Sequence, residues 1–400
     1  MNVVSAIAVL PDQWILKKLK YVARMAAGDA ITSDEIREEG DYPVFGGNGL
    51  RGYTDRFNRE GDFVLIGRQG ALCGNINYAS GQFWASEHAI VADVQGNAEV
   101  HWLGELLTFM NLNQYSQSAA QPGIAVDVIA SLPIPVPPRS TQKAISRFLA
   151  AETSAIDGLI AAKQKLLDLM AEKRRAIVAE AVMRGLDPSA PLRPSGIDWL
   201  GDIPAHWEIE RSRWLFTERD QRSQTGEEEM LTVSHLTGVT PRSEKDVNMF
   251  EAESTTGYKL CFAGDLAINT LWAWMGAMGT ARVDGIVSPA YNVYTPGPSL
   301  LPDYVDALVR IPVFAQEVTR YSKGVWSSRL RLYPEGFFET WWPVPPLDEQ
   351  QQIIERISAE VTKIDRLRVA IENSIALLKE RRSALIAAAV TGQIEIPEAA

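Results

Sequence analysis

The chain has 400 residues, of which 46% are hydrophobic and 22% charged, and its formal net charge is −11. This length exceeds what one hydrophobic core usually spans, so two or more domains are expected. The acidic balance counts against a general nucleic-acid coat protein, although a basic face on one side of the molecule would still permit contact with phosphates.

The N-terminal segment contains a mostly apolar stretch, Val3 to Leu10. No positive flank precedes it and no small-residue cleavage pattern follows it, which makes it a poor signal peptide. No run approaches the roughly 20 apolar residues of a membrane-spanning helix. The two cysteines, Cys73 and Cys261, lie in different halves and are expected to be free thiols. We therefore expect a soluble, cytoplasmic protein.

The first globular region is rich in short β-type runs, aromatic residues and scattered glycines. Its segment Phe45-Gly-Gly-Asn-Gly49 fits the F-x-G-x-G of an S-adenosylmethionine pocket, and Gly47 to Gly52 fits the G-x-G-x-x-G of a dinucleotide fold. Such glycines bind a phosphate or carboxylate through their backbone N–H groups where they connect a buried strand to a helix N-terminus. Here Pro43 interrupts the preceding run and no helical period follows, so a Gly-rich hairpin or a DNA-facing loop is the better prediction.

A 48-residue segment occurs twice in the chain, 208 residues apart. Pro135–Val182 aligns without a gap on Pro343–Val390, with 19 identical positions. Each copy opens with Pro-x-Pro-Pro and then continues for about 40 residues without proline, which is typical of a long helix. The period is too long for a solenoid, so the repeated unit is a whole domain plus a helix.

Apolar residues in both copies keep the alternating three-and-four spacing of a coiled-coil seam, broken in the second copy at Arg368 and Arg382. A stripe this narrow is not stable alone in water, so each helix needs a long partner, and the other copy is the nearest candidate. The alternative is a pair of separate amphipathic helices, each lying on its own domain. The predicted seam residues are Leu149, Ile156, Ile160, Leu167, Met170, Ile177, Ile357, Val361, Ile364, Ile371, Ile375, Leu378 and Leu385.

Between the first helix and the second globular region, Gly185 to Pro188 breaks the pattern, and the Pro- and Gly-rich stretch that follows is predicted to be a linker. The second region opens like the first, since Leu10–Trp14 recurs as Ile203–Trp207 at an offset of 193. The helices are therefore copied more faithfully than the domains. The predicted divisions are a first domain at 1–137, a helix at 138–185, a linker at 186–204, a second domain at 205–345, a helix at 346–392 and a tail at 393–400.

Catalytic signatures are missing from the sequence. There is no Gly-Lys-(Ser/Thr) for a phosphate-binding loop, no (Asp/Glu)-x-Lys of a metal-dependent nuclease, and no (Asn/Asp)-Pro-Pro-(Tyr/Phe) of an amino-methyltransferase. The four His and two Cys residues lack metal-ligand spacing. We predict no catalytic residue, no metal site and no bound cofactor, and hence a protein that is not an enzyme by itself.

Over nearly its whole length the chain resembles the specificity subunits of type I restriction-modification systems. The residues that carry the resemblance are the Pro-x-Pro-Pro segments followed by Gln142 or Gln350, the pairs Ile156-Asp157 and Ile364-Asp365, the basic segments Lys173–Arg175 and Arg381-Arg382, the ending Val390–Ile394, the second-domain opening Asp198–Trp207, and the head segments Tyr42–Gly49 and Gly285–Tyr291. Their order and duplication make the resemblance specific.

The resemblance implies an α+β fold with an internal pseudo-two-fold, in which two mixed α/β target recognition domains are separated by two long helices packed as an antiparallel coiled coil. Each head would read one half of a bipartite site in double-stranded DNA, and the helices would set the spacer, near one DNA turn of about 34 Å. The helices would dock two modification (methyltransferase) subunits, which bring S-adenosylmethionine and the chemistry. Restriction subunits would join for ATP-driven cleavage.

DNA-binding candidates follow from side-chain chemistry, since an arginine fork fits guanine and an Asn or Gln amide fits adenine. The candidates in the first head are Asn48, Arg51, Tyr53, Arg68, Gln69 and His88, and in the second head Trp272, Lys323, Ser327, Ser328, Arg329 and Arg331. Two other functions stay open. A coiled-coil structural adaptor would bind only proteins, and a stand-alone methyltransferase would itself bind S-adenosylmethionine.

Overall fold

A computed structural model describes residues 10–96, 98–116, 122–244, 254–324 and 330–396. The chain divides into two compact units, one combining the residues up to Gln164 with those from Glu372 onward, the other spanning Lys165–Ile371. In the described ranges, no helix is both long and apolar enough to cross a membrane.

The first unit contains an α+β head and parts of the two long helices. Its strands are β1 (Ile15–Lys18), β2 (Ala23–Ala27), β3 (Tyr42–Gly46), β4 (Gly49–Thr54), β5 (Arg59–Glu60), β6 (Phe63–Gly67), β7 (Ile76–Ala79), β8 (Gln82–Ala85), β9 (Ala89–Val94) and β10 (Pro133–Val136). Its helices are α1 (Val100–Phe109), α2 (Val126–Ala130) and the first part of α3 (Arg139–Arg184).

The core of this head forms where α1 packs on a four-stranded sheet of order β2-β9-β6-β7. Trp102, Leu103, Leu106 and Leu107 share one face of the helix and are fully buried. A second sheet has the order β4-β3-β8-β5, with β3 and β8 parallel. A separate antiparallel ribbon joins β1 to β10, so the start of the head is paired with the strand that leads into α3.

The second unit contains the other head. Its strands are β11 (Leu192–Pro194), β12 (Asp202–Pro204), β13 (Glu208–Arg211), β14 (Phe216–Glu218), β15 (Leu231–Ser234), β16 (Gly238–Pro241), β17 (Lys259–Cys261), β18 (Leu266–Ile268), β19 (Met278–Thr280), β20 (Gly285–Val287), β21 (Asn292–Pro296) and β22 (Trp341–Val344). Its helices are α4 (Ser212–Leu215), α5 (Pro302–Val309), α6 (Pro312–Tyr321), α7 (Pro334–Phe337) and the first part of α8 (Leu347–Thr391).

The second unit repeats the framework of the first. The ribbon β13-β22 places Glu208 opposite Val344, as β1-β10 places Ile15 opposite Val136. The sheet β14-β21-β18-β19 has the same antiparallel neighbours as β2-β9-β6-β7, and α5 packs on it as α1 does in the first head. The remaining strands differ, because the second unit has the pairs β15-β16 and β17-β20 in place of a four-stranded sheet. The framework is thus copied and the rest of each head is not.

The two long helices have 46 and 45 residues. The thirteen predicted seam residues are all buried or partly buried. Four leucines outside the seam, Leu159, Leu169, Leu367 and Leu377, are between 51% and 65% exposed. In the first unit, Arg382 Nε donates to Asp157 Oδ1 at 3.0 Å. One of the two arginines that interrupt the apolar spacing, Arg382, therefore bonds an acid of the other helix.

Two buried glutamines tie the start of each long helix to its head. Gln142 Oε1 accepts the backbone N–H of Glu99 at 2.8 Å, and its Nε2 donates to the carbonyl of Pro137 at 2.9 Å. Gln350 accepts from the N–H of Leu301 and donates to the carbonyl of Pro345, both at 2.8 Å. Glu99 and Leu301 directly precede α1 and α5. The same hydrogen-bond arrangement is therefore present twice.

Each long helix ends at a glycine in the left-handed region, beside the tryptophan that opens a head. Gly185 has φ +75°, and a Cβ there would lie 3.2 Å from Cζ2 of Trp207. Gly392 has φ +73°, and its Cβ would lie 3.2 Å from Cζ2 of Trp14. Only glycine adopts this conformation without strain, and here it also permits the close approach of the indole ring.

The segment 186–204, predicted as a linker, is instead folded as part of the second unit. Strands β11 and β12 pair antiparallel, with Leu192 opposite Pro204. Leu200 and Ile203 are buried in the core that contains Trp207. The sequence pattern concealed this burial because the two strands are only three residues long and Leu200 lies in the turn between them.

Candidate nucleic-acid interface

The glycine-rich segment of the first head is a tight β-hairpin. Gly46 pairs with Gly49, so Gly47 and Asn48 form the turn between β3 and β4. Gly49 has φ +94°, which a residue with a Cβ would adopt only with strain. Asn75 Nδ2 donates to Asn48 Oδ1 at 3.1 Å and orients the amide of Asn48 at the tip. The predicted hairpin is confirmed, since the strand β4, and not a helix, follows these glycines.

Four of the six candidates in the first head lie together. Asn48, Arg51, Gln69 and His88 line an open cavity of about 360 Å³, along with Gly47, Ala71 and Leu72. Hydrogen bonds of the backbone hold the loops in place: Arg68 N–H donates to the carbonyl of His88 at 2.9 Å, and Gly70 N–H to that of Pro122 at 2.9 Å. An amide at the hairpin tip, a second amide, a guanidinium and an imidazole thus converge on one surface. These are the donors and acceptors that read base edges.

Tyr53 and Arg68 lie outside the lining of this cavity. Tyr53 is on β4, where its backbone exchanges two hydrogen bonds of 2.9 Å with Arg37. Arg68 is partly buried, with Nη1 3.5 Å from the carbonyl oxygen of Glu87. The sequence did not single out Leu72, whose side chain is exposed at the cavity rim, because an isolated apolar residue carries no recognition signal.

Two other arginines of the first head are engaged by acids. Arg56 forms an ion pair with Glu35 and lies 4.5 Å from the ring centroid of Trp84. Hydrogen bonds from the amide and hydroxyl of Thr32 hold the pKa of Glu35 below its usual range, so this carboxylate is ionised beside the guanidinium. Arg59 lies 3.7 Å from Asp29. Arg51 differs from both because it lines the cavity.

In the second head, the described candidates cluster around one turn. Trp272 is half-exposed and its ring stacks on that of Trp274, with centroids 6.3 Å apart and planes at 16°. The backbones of Lys323 and Arg331 exchange two hydrogen bonds of 2.9 Å, and both side chains are exposed. Leu332 N–H donates to the carbonyl of Thr270 at 3.0 Å, which places this basic pair beside the tryptophan turn.

Ser327, Ser328 and Arg329 lie outside the described residues. Sequence reasoning missed Trp274 and the exposed side chains of Leu271 and Met275, although the spacing Trp-Ala-Trp was a usable signal. In the part of the chain that the structure describes, no group of three His, Cys, Asp or Glu residues could hold a metal ion.

Comparisons with known proteins agree on one family. Residues 11–167 match the family model described as the type I restriction modification DNA specificity domain. The chain is 44% identical over 137 residues to the EcoprrI specificity subunit of Escherichia coli, a match that covers 33% of this chain and 34% of that relative. A putative type I specificity subunit of Haemophilus influenzae is 30% identical over 122 residues, covering 30% of this chain and 32% of the relative. These two matches therefore cover only about a third of either relative.

Longer but weaker similarity extends along the chain. The EcoBI specificity subunit of Escherichia coli is 22% identical over an alignment that covers 98% of this chain and 88% of the relative. A solved chain from work on complex assembly and conformational transition of the type I restriction-modification system has a TM-score of 0.71 at 16% identity, covering 96% of this chain and 100% of that chain.

The HsdS subunit of Thermoanaerobacter tengcongensis has a TM-score of 0.54 at 15% identity, covering 96% of this chain and 98% of that chain. At such identities the likeness concerns the fold, and it agrees with the mixed helix and strand content described above. With the match over residues 11–167, these findings confirm the resemblance predicted from the sequence: residues 11–167 match a type I restriction modification DNA specificity domain, and the chain is similar to specificity subunits of type I restriction-modification systems.

Proposed function

We propose that this chain is the DNA sequence-recognition subunit of a type I restriction-modification complex, and that each unit reads one half of a bipartite target. The observation that carries the proposal is the contrast between a framework that is copied and surfaces that are not. In the first unit the reading surface is the cavity with Asn48, Arg51, Gln69 and His88. In the second it is the turn at Trp272 with its neighbouring cations.

The two long helices form an antiparallel coiled coil in this proposal, and their length sets the unread spacer. Contacts inside the first unit support this arrangement. Leu149 of α3 shares a core cluster with Val390 of α8, whereas Asp157, further along α3, bonds Arg382, which comes earlier on α8. From one contacting pair to the next, the residue number rises on α3 and falls on α8, as it does when two helices pack antiparallel.

The second unit has the same order. Val182 near the end of α3 shares a core cluster with Ile353 near the start of α8. Lys173, earlier on α3, is close enough to Glu360, later on α8, to help lower the pKa of that carboxyl, after the larger effect of Lys363. Two antiparallel segments of this kind would hold two reading heads at a fixed separation, as a dimer axis does in other DNA-binding proteins.

The helices also dock two methyltransferase subunits in this proposal. Leu159 and Leu367 are identical partners in the repeat, as are Leu169 and Leu377, and all four are exposed. Exposed apolar side chains at repeated positions suit two identical partner subunits. Those subunits would supply S-adenosylmethionine and the methyl transfer, and ATP-driven restriction subunits would join for cleavage. The chain itself would be non-catalytic.

The test is methylome sequencing of cells with and without this chain. A split motif should lose its methylation when the chain is deleted, and an unchanged methylome would contradict the proposal. In the reconstituted complex, Arg51→Ala should reduce methylation roughly 10- to 100-fold for DNA with an intact first half-site, because one good base contact is worth about 1–3 kcal/mol. Discrimination at the second half-site should be unchanged.

Arg24→Ala serves as the control, since Arg24 is an exposed arginine on β2 away from the cavity lining. If Arg51→Ala lost methylation equally on DNA altered at the first half-site and on DNA altered at the second, the assignment of Arg51 to one half-site would be rejected.

Two further measurements test the alternative functions. Absence of DNA retardation even with methyltransferase subunits present would favour a protein-only adaptor, and heat on titrating S-adenosylmethionine into the purified chain would favour a stand-alone methyltransferase.

A further inference from the structure

Tyr21 and Trp214 are the most exposed aromatic residues in the described ranges, at 67% and 76%. They occupy equivalent positions, because the offset of 193 that relates Trp14 to Trp207 also relates Tyr21 to Trp214. Tyr21 ends the short 3-10 turn Leu19–Tyr21 directly after β1, and Trp214 lies in α4 directly after β13. Each exposed ring therefore follows the first strand of the copied ribbon.

The surroundings of the two rings are equivalent as well. Leu19 and Ser212 are fully buried two residues before each ring, and Val22 and Leu215 are buried one residue after it. A cation precedes each ring: Lys20 has its Nζ 5.2 Å from the centroid of the Tyr21 ring, and Arg213 forms an ion pair with Glu339. The backbone thus holds a cation and an outward-pointing aromatic ring at the same place in both units.

These rings do little for the fold of either head. An aromatic side chain contributes by burying about 150–250 Å² of surface, and both rings leave most of theirs in water. The heads otherwise diverge in strand arrangement and in their candidate reading residues. An aromatic ring left in water is unfavourable, yet both heads have one at the same position although they differ elsewhere. This points to a ligand that binds both heads.

We propose that Tyr21 and Trp214 are equivalent anchors for two copies of one protein partner, the methyltransferase subunit. The inference rests on the proposed function, from which it takes the presence of two such subunits. Two unlike half-sites of DNA share only the sugar-phosphate backbone, which is bound mainly by cations, polar side chains and amides. Exposed Tyr and Trp next to Lys or Arg are instead typical of the energetic centre of protein interfaces.

The helices give each unit a matching set of exposed leucines. The first unit carries Leu159 and Leu377, and the second carries their repeat equivalents Leu367 and Leu169. Each unit therefore presents one aromatic ring from its head and one exposed leucine from each long helix. Two identical partner subunits would find the same three apolar side chains, one set per unit.

The experiment is native mass spectrometry and sedimentation of the full chain mixed with the modification subunit of the same restriction-modification system. The wild-type chain should bind two copies. Tyr21→Ala or Trp214→Ala should leave mainly one copy bound, with the affinity of the altered site lowered roughly 10- to 100-fold, the range of an interface hot spot. The double variant should fail to assemble at concentrations that saturate the wild type, and Tyr21→Phe with Trp214→Phe should restore assembly.

Leu236→Ala is the matched control, because Leu236 is 74% exposed in the second unit and does not follow a copied strand. The double variant should unfold at the same temperature as the wild type, since neither ring is buried. Two-to-one assembly of the double variant at wild-type affinity would overturn the inference, and so would intact assembly with a loss of DNA affinity alone. If the wild-type chain binds neither DNA nor the modification subunit, the proposed function itself fails.

Discussion

The hydrogen bonds of one glutamine side chain in each unit explain why glutamine follows both Pro-x-Pro-Pro segments. Gln142 and Gln350 each satisfy the first free N–H of a head helix and a carbonyl of the proline turn. A helix N-terminus leaves such groups without intrahelical partners, and burying them unpaired is costly. The sequence marks this residue by repetition, but only the structure shows what it bonds.

Replacing Gln350 by alanine should destabilise the second unit by about 1–3 kcal/mol, because the buried N–H of Leu301 and carbonyl of Pro345 lose their partner. Chemical denaturation of the free chain, followed by circular dichroism, measures this change. Gln351→Ala is the control, since Gln351 is exposed and donates to Glu355 on the same helix. Equal midpoints for the two variants would contradict the role given to Gln350.

The clustering of four candidate residues agrees with their selection by side-chain chemistry, and their contact with DNA stays a prediction. Asn48, Arg51, Gln69 and His88 were found by type, and the structure brings them to one cavity. Tyr21 and Trp214 were not found, because an aromatic residue near apolar neighbours normally predicts a core position. Their exposure depends on how the turn after the first strand is oriented, which no sequence period records.

Among the elements, the long helices were the most predictable. The range 138–185 was predicted for the first, and the structure has Arg139–Arg184. Apolar residues that keep the helical spacing over so many turns are compatible with few structures other than a helix, and proline fixes where that helix begins. The strands β11 and β12 were missed because three-residue strands lack a measurable alternation.

Two neighbouring residues of α8 should separate stability from assembly. Ile375 is 8% exposed and Leu377 is 65% exposed. Ile375→Ala should lower the free energy of unfolding by about 2–5 kcal/mol, since it removes a buried side chain. Leu377→Ala should change it by no more than about 0.5 kcal/mol.

Binding of the proposed methyltransferase subunit should respond in the opposite order. Leu377→Ala should weaken binding more than Ile375→Ala does, and by more than its small effect on stability would explain. Denaturant midpoints and titration of the modification subunit provide the two readings. A large loss of stability from Leu377→Ala would mean that this side chain belongs to the fold of the free chain and not to a docking surface.

The molecule as a whole combines a repeated framework with head surfaces that differ between the two units. The sequence predicted the repetition correctly because identical residues align directly. The different strand arrangements of the two heads could not be predicted, since short strands depend on contacts distant in sequence. Under the proposed function, two like partner subunits would keep the framework the same in both units, and two unlike DNA half-sites would let the head surfaces diverge.

A circularly permuted chain should therefore fold and assemble. If the backbone is opened between Leu186 and Ser189 and the present ends are joined by a flexible linker, both glycine-tryptophan contacts can form as before. Far-ultraviolet circular dichroism and methylation of the same split motif provide the measurements. An insoluble permutant, alongside a soluble chain carrying the same linker as a tail, would contradict the prediction.

The left-handed glycines at the two helix ends make equivalent contacts, although the residues in contact are separated by different lengths of sequence. The end of α8 meets Trp14 as the end of α3 meets Trp207, although a peptide segment joins only the latter pair directly. The same contact therefore forms once between neighbouring segments and once between segments far apart in the sequence. Packing at each helix end, and not a direct peptide connection, holds that helix end against the start of a head.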